Sequence, residues 1–372
     1  MVINPVFDRR MSLISDLLEL NMPLALHVVL AVLFPALICI LAIPATVRLA
    51  KARGLVAKPN GRTAHEGPVP NLGGVPVFAA IILTLLLLGD PAVLFNYRFV
   101  LASLTLLFFL GVKDDFYPLV AVKKFIGQLI VACIVVVAGD VRISNFQGLF
   151  GINEVSYLVS ILVSILVLIT LVNSFNLIDG VDGLASGSGI ISSLFFGIWF
   201  FREGLSGETI IAFTLLGSLL VFYAFNMFGR RYKIFLGDSG AMIIGLIVAI
   251  LAIEFNEAHL AAGISYPVWS APVFTLCVLI IPFFDITRIV ILRIAGRKSP
   301  FAPDTNHIHH YLLELFKSHP GVTILILFVN LLFIALGLVF NLLHIDIHLA
   351  LAIIVLSLIS LSIILRRIRK TK

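Results

Sequence analysis

Long apolar runs, separated by short polar breaks, make up most of this chain. Each run is close to the ~20 residues that a helix needs to cross the hydrocarbon core of a bilayer. About eleven runs are found, at 24–47, 72–89, 95–112, 125–139, 156–172, 185–201, 209–228, 240–254, 269–291, 322–343 and 348–365. The pattern predicts an all-α, polytopic integral membrane helix bundle with about eleven transmembrane helices. It also predicts a single integral membrane domain over 1–372 that ends in a basic tail at 366–372.

The composition supports this class. Hydrophobic residues make up 60% of the chain and charged residues 12%, and the mean hydropathy is +1.13, values that a soluble domain does not show. The third run is the weakest, because Asn96 and Arg98 at its start must reach the interface. The N-terminal stretch lacks a short apolar region followed by a small-residue cleavage site, so no cleaved signal peptide is expected.

Basic residues are distributed unequally between the polar segments. If the N-terminus lies outside, 21 of the 26 Lys and Arg residues fall on the inner side or at its edge and 5 on the outer side. The inner segments are then 48–71, 113–124, 173–184, 229–239, 292–321 and the C-terminal tail. This asymmetry predicts an outside N-terminus and a cytoplasmic C-terminus. The net charge of +6 therefore follows from topology, and no nucleic-acid binding is predicted.

Three of the polar breaks carry acids beside glycines. They are Gly111–Asp115, Asn173–Leu184 and Phe235–Gly240. Carboxylates at a membrane edge are costly unless a metal, a cation or water meets them. Asp179 and Asp182 are three apart, so one helical turn would point both in the same direction. Because all three breaks lie on the predicted cytoplasmic side, we expect one polar site at that end of the bundle.

Two long loops lie on the same predicted side, at 51–71 and 293–320. Loops of this length are usually functional or disordered. The second carries His307, His309 and His310, followed by apolar residues at helical spacing, which predicts a short interfacial helix closing over the site. The three cysteines, Cys39, Cys133 and Cys277, lie within apolar runs and are expected to be small buried hydrophobic residues.

This inventory favours phosphoryl transfer. Hard oxygen ligands suit Mg²⁺, with Mn²⁺ as an alternative, better than zinc. Lys, Arg and glycine turns nearby suit phosphate, and such a reaction needs mainly positioning and charge neutralisation. A membrane phosphotransferase is the leading prediction. Two alternatives stay open: a secondary transporter, which should show repeated halves with broken helices, and an inactive lipid-binding scaffold.

Four motifs in order resemble the polyprenyl-phosphate N-acetylhexosamine-1-phosphate transferases. They are the three acidic breaks and the segment 304–310, Asp-Thr-Asn-His-Ile-His-His. The resemblance implies transfer of a sugar 1-phosphate from a UDP-N-acetylhexosamine to undecaprenyl phosphate, with release of UMP, in the bacterial cytoplasmic membrane. It also implies the initiating step of a cell-envelope polysaccharide and makes a homodimer an expectation. The His-Ile-His-His segment resembles the WecA/TagO branch, which implies UDP-N-acetylglucosamine as donor, while an epimeric or 6-deoxy sugar stays open.

The resemblance also assigns roles near the reacting phosphates. It implies that Asp238 and Asn176 hold Mg²⁺. Asp114 and Asp115 match a pair that orients or deprotonates the lipid phosphate, and Lys124 matches the basic residue that follows the pair. From the residues alone, Asp238 could instead cap the helix that follows it, and Lys124 could be one of the inner-face lysines.

Further residues match the positions that meet the donor. Asp179 is expected among the catalytic residues, and Asp182 with Gly183 is expected at the nucleotide. Asn226 matches a polar position near the uridine, and Phe235 is expected to stack on the base. Alternatively, Phe235 anchors the membrane interface and Asn226 satisfies backbone groups at the end of its span.

The histidines complete the predicted site. His309 and His310 are expected among the catalytic residues, and His65 and His307 at the nucleotide and sugar. Three histidines within four positions would also suit zinc, but no fourth ligand is evident in the sequence.

Overall fold

Helices are the regular secondary structure of this protein. The computed structural model describes residues 23–55, 69–261, 263–297 and 308–370. In these ranges, extended pairing is limited to an isolated bridge between Asn145 and Glu154. The helices are α1 (Leu24–Ala52), α2 (Gly74–Leu88), α3 (Pro91–Asn96), α4 (Arg98–Phe116), α5 (Ala121–Cys133), α6 (Tyr157–Ile178), α7 (Leu184–Glu203), α8 (Ser206–Phe228), α9 (Gly237–Ala258), α10 (Ala271–Val278), α11 (Ile280–Ala295), α12 (Ile308–Phe316), α13 (His319–Leu342) and α14 (Ile347–Lys370).

The prediction of a polytopic helical membrane bundle is confirmed. Eight helical segments in the described residues are long and apolar enough to cross a membrane. The other three predicted spans correspond to α2, which has 15 residues, to α4, whose last turn is charged, and to the bent pair α10–α11. The total of eleven crossings and the sides on which the termini lie stay predictions.

The predicted span 269–291 is two helices instead of one. Its halves α10 and α11 meet at an angle of 84°. Pro282 has no N–H group to donate to the carbonyl of Val278, and it lies in the first turn of α11, just after the break. Asn330 of α13 donates to the carbonyls of Cys277 and Val278 at 3.2 and 3.1 Å. A buried side chain therefore satisfies carbonyl groups at the break, as a membrane interior requires.

Helix α9 forms the centre of the bundle. It packs against α2, α4, α6, α7 and α8, and most of its side chains are buried. Gly111 of α4 allows one of these approaches, because a Cβ at this position would overlap the backbone of Ser239. In contrast, α14 exposes many of its large apolar side chains. Such a distribution is expected when lipid surrounds the bundle.

The ends of several helices meet at one end of the bundle. Here α4, α6 and α8 end, and α5, α7 and α9 begin. The predicted short helix is present as α12, but it begins at Ile308 and so includes His309 and His310. The backbone N–H of Ile308 donates to Asp285 of α11 at 2.9 Å. The predicted basic tail is helical as far as Lys370, because it continues α14.

Candidate active site

Three side chains from three helices meet at Lys124, which lies on a fourth helix. Its Nζ atom lies 2.8 Å from Oδ2 of Asp114, 2.7 Å from Oδ1 of Asp238 and 3.2 Å from Oδ1 of Asn176. The Asn176 amide nitrogen also donates to Oδ1 of Asp238. We call Asp114, Lys124, Asn176 and Asp238 the central cluster. It brings together four predicted site residues that span 125 positions of sequence, from 114 to 238.

The central cluster is buried on one side and open on the other. The Asp114 and Lys124 side chains are 8% and 15% exposed, whereas that of Asp238 is 30% exposed. Asp114 is fixed further by the backbone N–H of Leu119, which donates to Oδ1 at 2.6 Å. The accessible approach to the cluster therefore leads to Asp238.

The adjacent residue Asp115 makes a different set of contacts. Its Oδ1 accepts hydrogen bonds from Asn71 Nδ2 at 3.1 Å and from the backbone N–H of Asp238 at 2.7 Å. Its Oδ2 accepts from the backbone N–H of Ser239 at 3.1 Å and from Ser239 Oγ at 2.7 Å. A carboxylate of α4 thus caps the N-terminus of α9, where free N–H groups need acceptors.

The loop before α2 completes this junction. The N–H of Phe235 donates to the carbonyl of Pro70 at 2.9 Å, and the N–H of Gly73 donates to the carbonyl of Phe235 at 2.8 Å. Gly237 has a φ of 78°, and a Cβ there would lie 2.7 Å from Oδ1 of Asp115. Glycine therefore satisfies both the backbone geometry and the limited space at the start of α9.

A second cluster forms around Asp182, in the loop between α6 and α7. Its Oδ2 atom lies 2.7 Å from Lys233 Nζ and 3.9 Å from Nδ1 of His319. Thr323 Oγ1 donates to the backbone carbonyl of Asp182 at 2.7 Å. Asp182 therefore joins this loop to α13 and to the loop before α9.

Asn226 is hydrogen-bonded both to the loop that contains Asp182 and to the loop before α9. Its Oδ1 accepts from the N–H of Gly183 at 2.6 Å, and its Nδ2 donates to the carbonyl of Ile234 at 2.9 Å. This geometry agrees with the alternative in which Asn226 satisfies backbone groups at the end of its span. Contact of Asn226 with a uridine stays a prediction.

Asp179 experiences the negative charge of both clusters. Burial raises its pKa well above the usual range, and the carboxylates of Asp238, Asp115 and Asp182 raise it further. A backbone hydrogen bond from Gly237 has the opposite effect. The carboxylates around Asp179 therefore disfavour one another's ionisation, and a cation bound among them would reduce this repulsion.

The donor groups suit a hard divalent cation. Within the described ranges, three or more His, Cys, Asp or Glu side chains do not converge on a point that could hold a metal ion. However, oxygen atoms of Asp114, Asn176 and Asp238 already surround a cation, the Lys124 ammonium group. Mg²⁺ commonly takes one or two carboxylates and completes its shell with water and substrate phosphate. The chemistry of the cluster therefore fits Mg²⁺ or Mn²⁺.

The roles of the remaining predicted site residues stay predictions. The Phe235 side chain is half-buried, and its stacking on a base stays a prediction. His65 and His307 lie outside the described residues. His309 and His310 lie in the first turn of α12, but their side chains are outside the described part.

Sequence reasoning missed several residues that hold the site together. They are Asn71, Lys233, Ser239, His319 and Thr323. Ser239 lies within one of the four motifs. The sequence identifies Lys233 only as one of the basic residues of the predicted inner face. Asn71 precedes two glycines in a turn-rich loop. His319 and Thr323 start an apolar helix and carry no local signal of their role.

Comparisons of the sequence with known proteins identify the family. Residues 97–256 match the model of glycosyl transferase family 4. The chain is 31% identical to the undecaprenyl-phosphate alpha-N-acetylglucosaminyl 1-phosphate transferase of Escherichia coli O157:H7, over 72% of this chain and 71% of that protein. It is 30% identical to the decaprenyl-phosphate N-acetylglucosaminephosphotransferase of Mycobacterium tuberculosis (strain CDC 1551 / Oshkosh), over 75% of this chain and 74% of that protein. The chain therefore belongs to glycosyl transferase family 4, among the polyprenyl-phosphate N-acetylglucosamine-1-phosphate transferases.

Proposed function

We propose that this protein transfers N-acetylglucosamine 1-phosphate from UDP-N-acetylglucosamine to undecaprenyl phosphate and releases UMP. The observation that carries the proposal is the central cluster, in which Lys124 lies between Asp114 and Asp238 at the end of a membrane bundle. The names of the relatives support the donor and the polyprenyl acceptor. Family membership favours this class over the transporter that the sequence had left open.

The reaction proposed is a single displacement. An oxygen of the lipid phosphate attacks the sugar-bound phosphorus and forms the new O–P bond. The bond from that phosphorus to the oxygen bridging the two phosphates breaks, and UMP leaves with the electron pair. A double displacement through a phosphosugar-aspartate would instead exchange UMP with the donor in the absence of acceptor.

Asp114 and Lys124 are assigned to the lipid phosphate. The Lys124 ammonium attracts the anionic nucleophile, and Asp114 fixes the ammonium in place at 2.8 Å. A general base is not strictly required, because the second pKa of a phosphomonoester is ~6 and much of it is already dianionic at neutral pH. Positioning therefore contributes more than proton removal at this step.

Asp238 and Asn176 are the residues that would hold Mg²⁺, with Mn²⁺ as an alternative. When bound there, the metal supplies charge neutralisation for the diphosphate of the donor. A cation at this position would also offset the repulsion between Asp179 and the neighbouring carboxylates.

The donor is assigned to the Asp182 cluster. Lys233 pairs with Asp182 at 2.7 Å, so its ammonium lies beside the loop that contains Gly183. We assign Phe235 to the uracil face, and the segment with His307, His309 and His310 to the sugar and its diphosphate. His65 is assigned to the same pocket on the basis of the family resemblance alone.

The proposed location is the bacterial cytoplasmic membrane, with the site on the cytoplasmic face. The 21 to 5 distribution of basic residues supports this orientation. UDP-sugars are water-soluble and made inside the cell, whereas the polyprenyl acceptor stays in the bilayer. A site at the inner edge of the membrane is where the two substrates can meet. A homodimer stays an expectation.

A panel of donors tests this proposal. Purified protein with undecaprenyl phosphate and Mg²⁺ would be offered UDP-N-acetylglucosamine, its galacto epimer, a 6-deoxy analogue and a UDP-muramoyl-pentapeptide. We expect UMP release and a lipid product of the matching mass to be fastest with UDP-N-acetylglucosamine. A preference for another donor would contradict the substrate, and UMP release from none of them would contradict the proposed function.

A further inference from the structure

Two neighbouring carboxylates of α4 contact different parts of the site. Asp114 belongs to the central cluster and contacts Lys124 at 2.8 Å. Asp115 points to the N-terminus of α9 and accepts hydrogen bonds there from the residues 238 and 239. The two acids of this motif are therefore not equivalent.

We propose that Asp115 is a positioning residue, which holds Asp238 at the metal site and does not act on the lipid phosphate. The inference rests on the proposed function and divides the aspartate pair between two roles. Asp115 holds the backbone of Asp238 itself, since the N–H of Asp238 donates to Asp115 Oδ1 at 2.7 Å. The side chain of Asp238 extends from this fixed point towards Lys124 and Asn176.

The hydrogen-bond capacity of Asp115 supports this role. A carboxylate offers about four acceptor positions, and Asp115 receives four hydrogen bonds, from Asn71 Nδ2, from the N–H groups of Asp238 and Ser239 and from Ser239 Oγ. A lipid phosphate is an anion that requires donors. A carboxylate such as that of Asp115 repels this anion and has no hydrogen atom to donate to it.

The packing around Asp115 leaves little freedom. A Cβ added to Gly237 would lie 2.7 Å from Asp115 Oδ1 and 2.9 Å from the carbonyl oxygen of Asn71. A Cβ added to Gly74 or Gly111 would overlap Ser239. Two chain segments, residues 71–74 and the end of α4, thus surround the start of α9 closely, so a change at Asp115 is expected to alter the position of Asp238.

The matched control for Asp115 lies at the other end of α9. Glu257 also accepts from a serine backbone N–H and from the same serine hydroxyl, at 2.7 and 2.6 Å, but its partner is Ser144. Glu257→Gln therefore removes a comparable carboxylate at the opposite end of α9, away from the central cluster. This variant shows how much the loss of such a carboxylate lowers the stability of the protein when the position of Asp238 is unchanged.

The experiment measures Mn²⁺ binding by electron paramagnetic resonance, with the full-length protein and without lipid acceptor. We expect Asp115→Asn to weaken Mn²⁺ binding by about tenfold to hundredfold, the usual cost of losing a group that orients a metal ligand. Ser239→Ala, which removes a single hydroxyl contact, should weaken it in the same direction and less. In the double variant, the fold loss of Mn²⁺ affinity should be smaller than the product of the two single losses. Glu257→Gln should bind Mn²⁺ as the wild type does.

Two further readouts separate positioning from contact with the lipid. Deuterium exchange at the amides of 238 and 239 should accelerate in Asp115→Asn. Turnover of this variant should fall at an unchanged KM for undecaprenyl phosphate and recover partly at high Mn²⁺. If Asp115→Asn does not fold, the same measurements on Ser239→Ala decide the question.

Unchanged Mn²⁺ affinity together with a raised KM for undecaprenyl phosphate would overturn the inference. It would show that Asp115 contacts the acceptor. A failure of the proposed function is a different outcome, in which the wild type binds Mn²⁺ but releases no UMP from any donor.

Discussion

The Lys124 ammonium lies 2.7 Å from Oδ1 of Asp238, although 114 positions separate the two residues in sequence. The contact joins the start of α5 to the start of α9, and Asp114 and Asn176 complete it. One ammonium group is thus shared between two carboxylates where the lipid and the nucleotide are proposed to meet.

Replacing Lys124 by Met should reduce turnover strongly. The variant leaves Asp114 and Asp238 without their shared cation and removes the charge that attracts the lipid phosphate. We expect a loss of about 10²-fold or more in kcat/KM, as for other charge-stabilising groups of active sites. The rate of UMP release measures this loss of kcat/KM. Lys123→Met is the control, because Lys123 is exposed, and equal losses in both variants would contradict the role of Lys124.

Asp238→Asn should retain the fold and lose the metal-dependent reaction. The amide keeps the size of the side chain but removes the negative charge that a divalent cation requires. We expect turnover to fall by about 10³-fold, which is roughly 4 kcal/mol of barrier. Removing metal from the wild type with a chelator should have the same effect, reversed by Mg²⁺ or Mn²⁺. Near-normal, Mg²⁺-dependent activity of the variant would refute the assignment.

Asn330→Leu should destabilise the break between α10 and α11. The change leaves the carbonyls of Cys277 and Val278 without the amide donor. An unmet buried carbonyl costs about 1–3 kcal/mol, so thermal unfolding in detergent should shift to lower temperature. Asn341→Leu in the same helix is the control, because Asn341 contacts an exposed backbone N–H that water can satisfy. An equal shift in the two variants would contradict the role of Asn330.

The predicted orientation is open to cysteine labelling in intact cells. Asn153 and Lys317 are both exposed and lie on opposite predicted sides of the membrane. In a background without native cysteines, an impermeant maleimide should label Asn153→Cys but not Lys317→Cys. Labelling of Lys317→Cys, or of a cysteine within 300–306, from outside would reverse the topology.

The helices were predictable because membrane spans depend on length and apolarity. The break at Leu279 was not, since Pro282 lies in a run as apolar as the others and prolines are tolerated inside spans. α1, for example, continues through Pro35 and Pro44. Hydropathy alone does not show which proline divides a helix.

The central cluster was predictable as a set of residues but not as a geometry. The motifs name Asp114 and Asp115 together, whereas neighbouring helical residues point about 100° apart. Their division between Lys124 and the start of α9 depends on how α4 packs against α9. Asn71 was missed for the same reason, because its partner Asp115 is 44 positions away.

The fate of the donor's two phosphates tests the central claim most directly. Purified protein would receive undecaprenyl phosphate and UDP-N-acetylglucosamine carrying a radiolabel only in the phosphate next to the sugar. The account predicts that all transferred label enters the lipid product and that the released nucleotide is unlabelled UMP. Release of labelled UDP, with sugar but no label in the lipid, would show transfer of the sugar alone and would contradict the account.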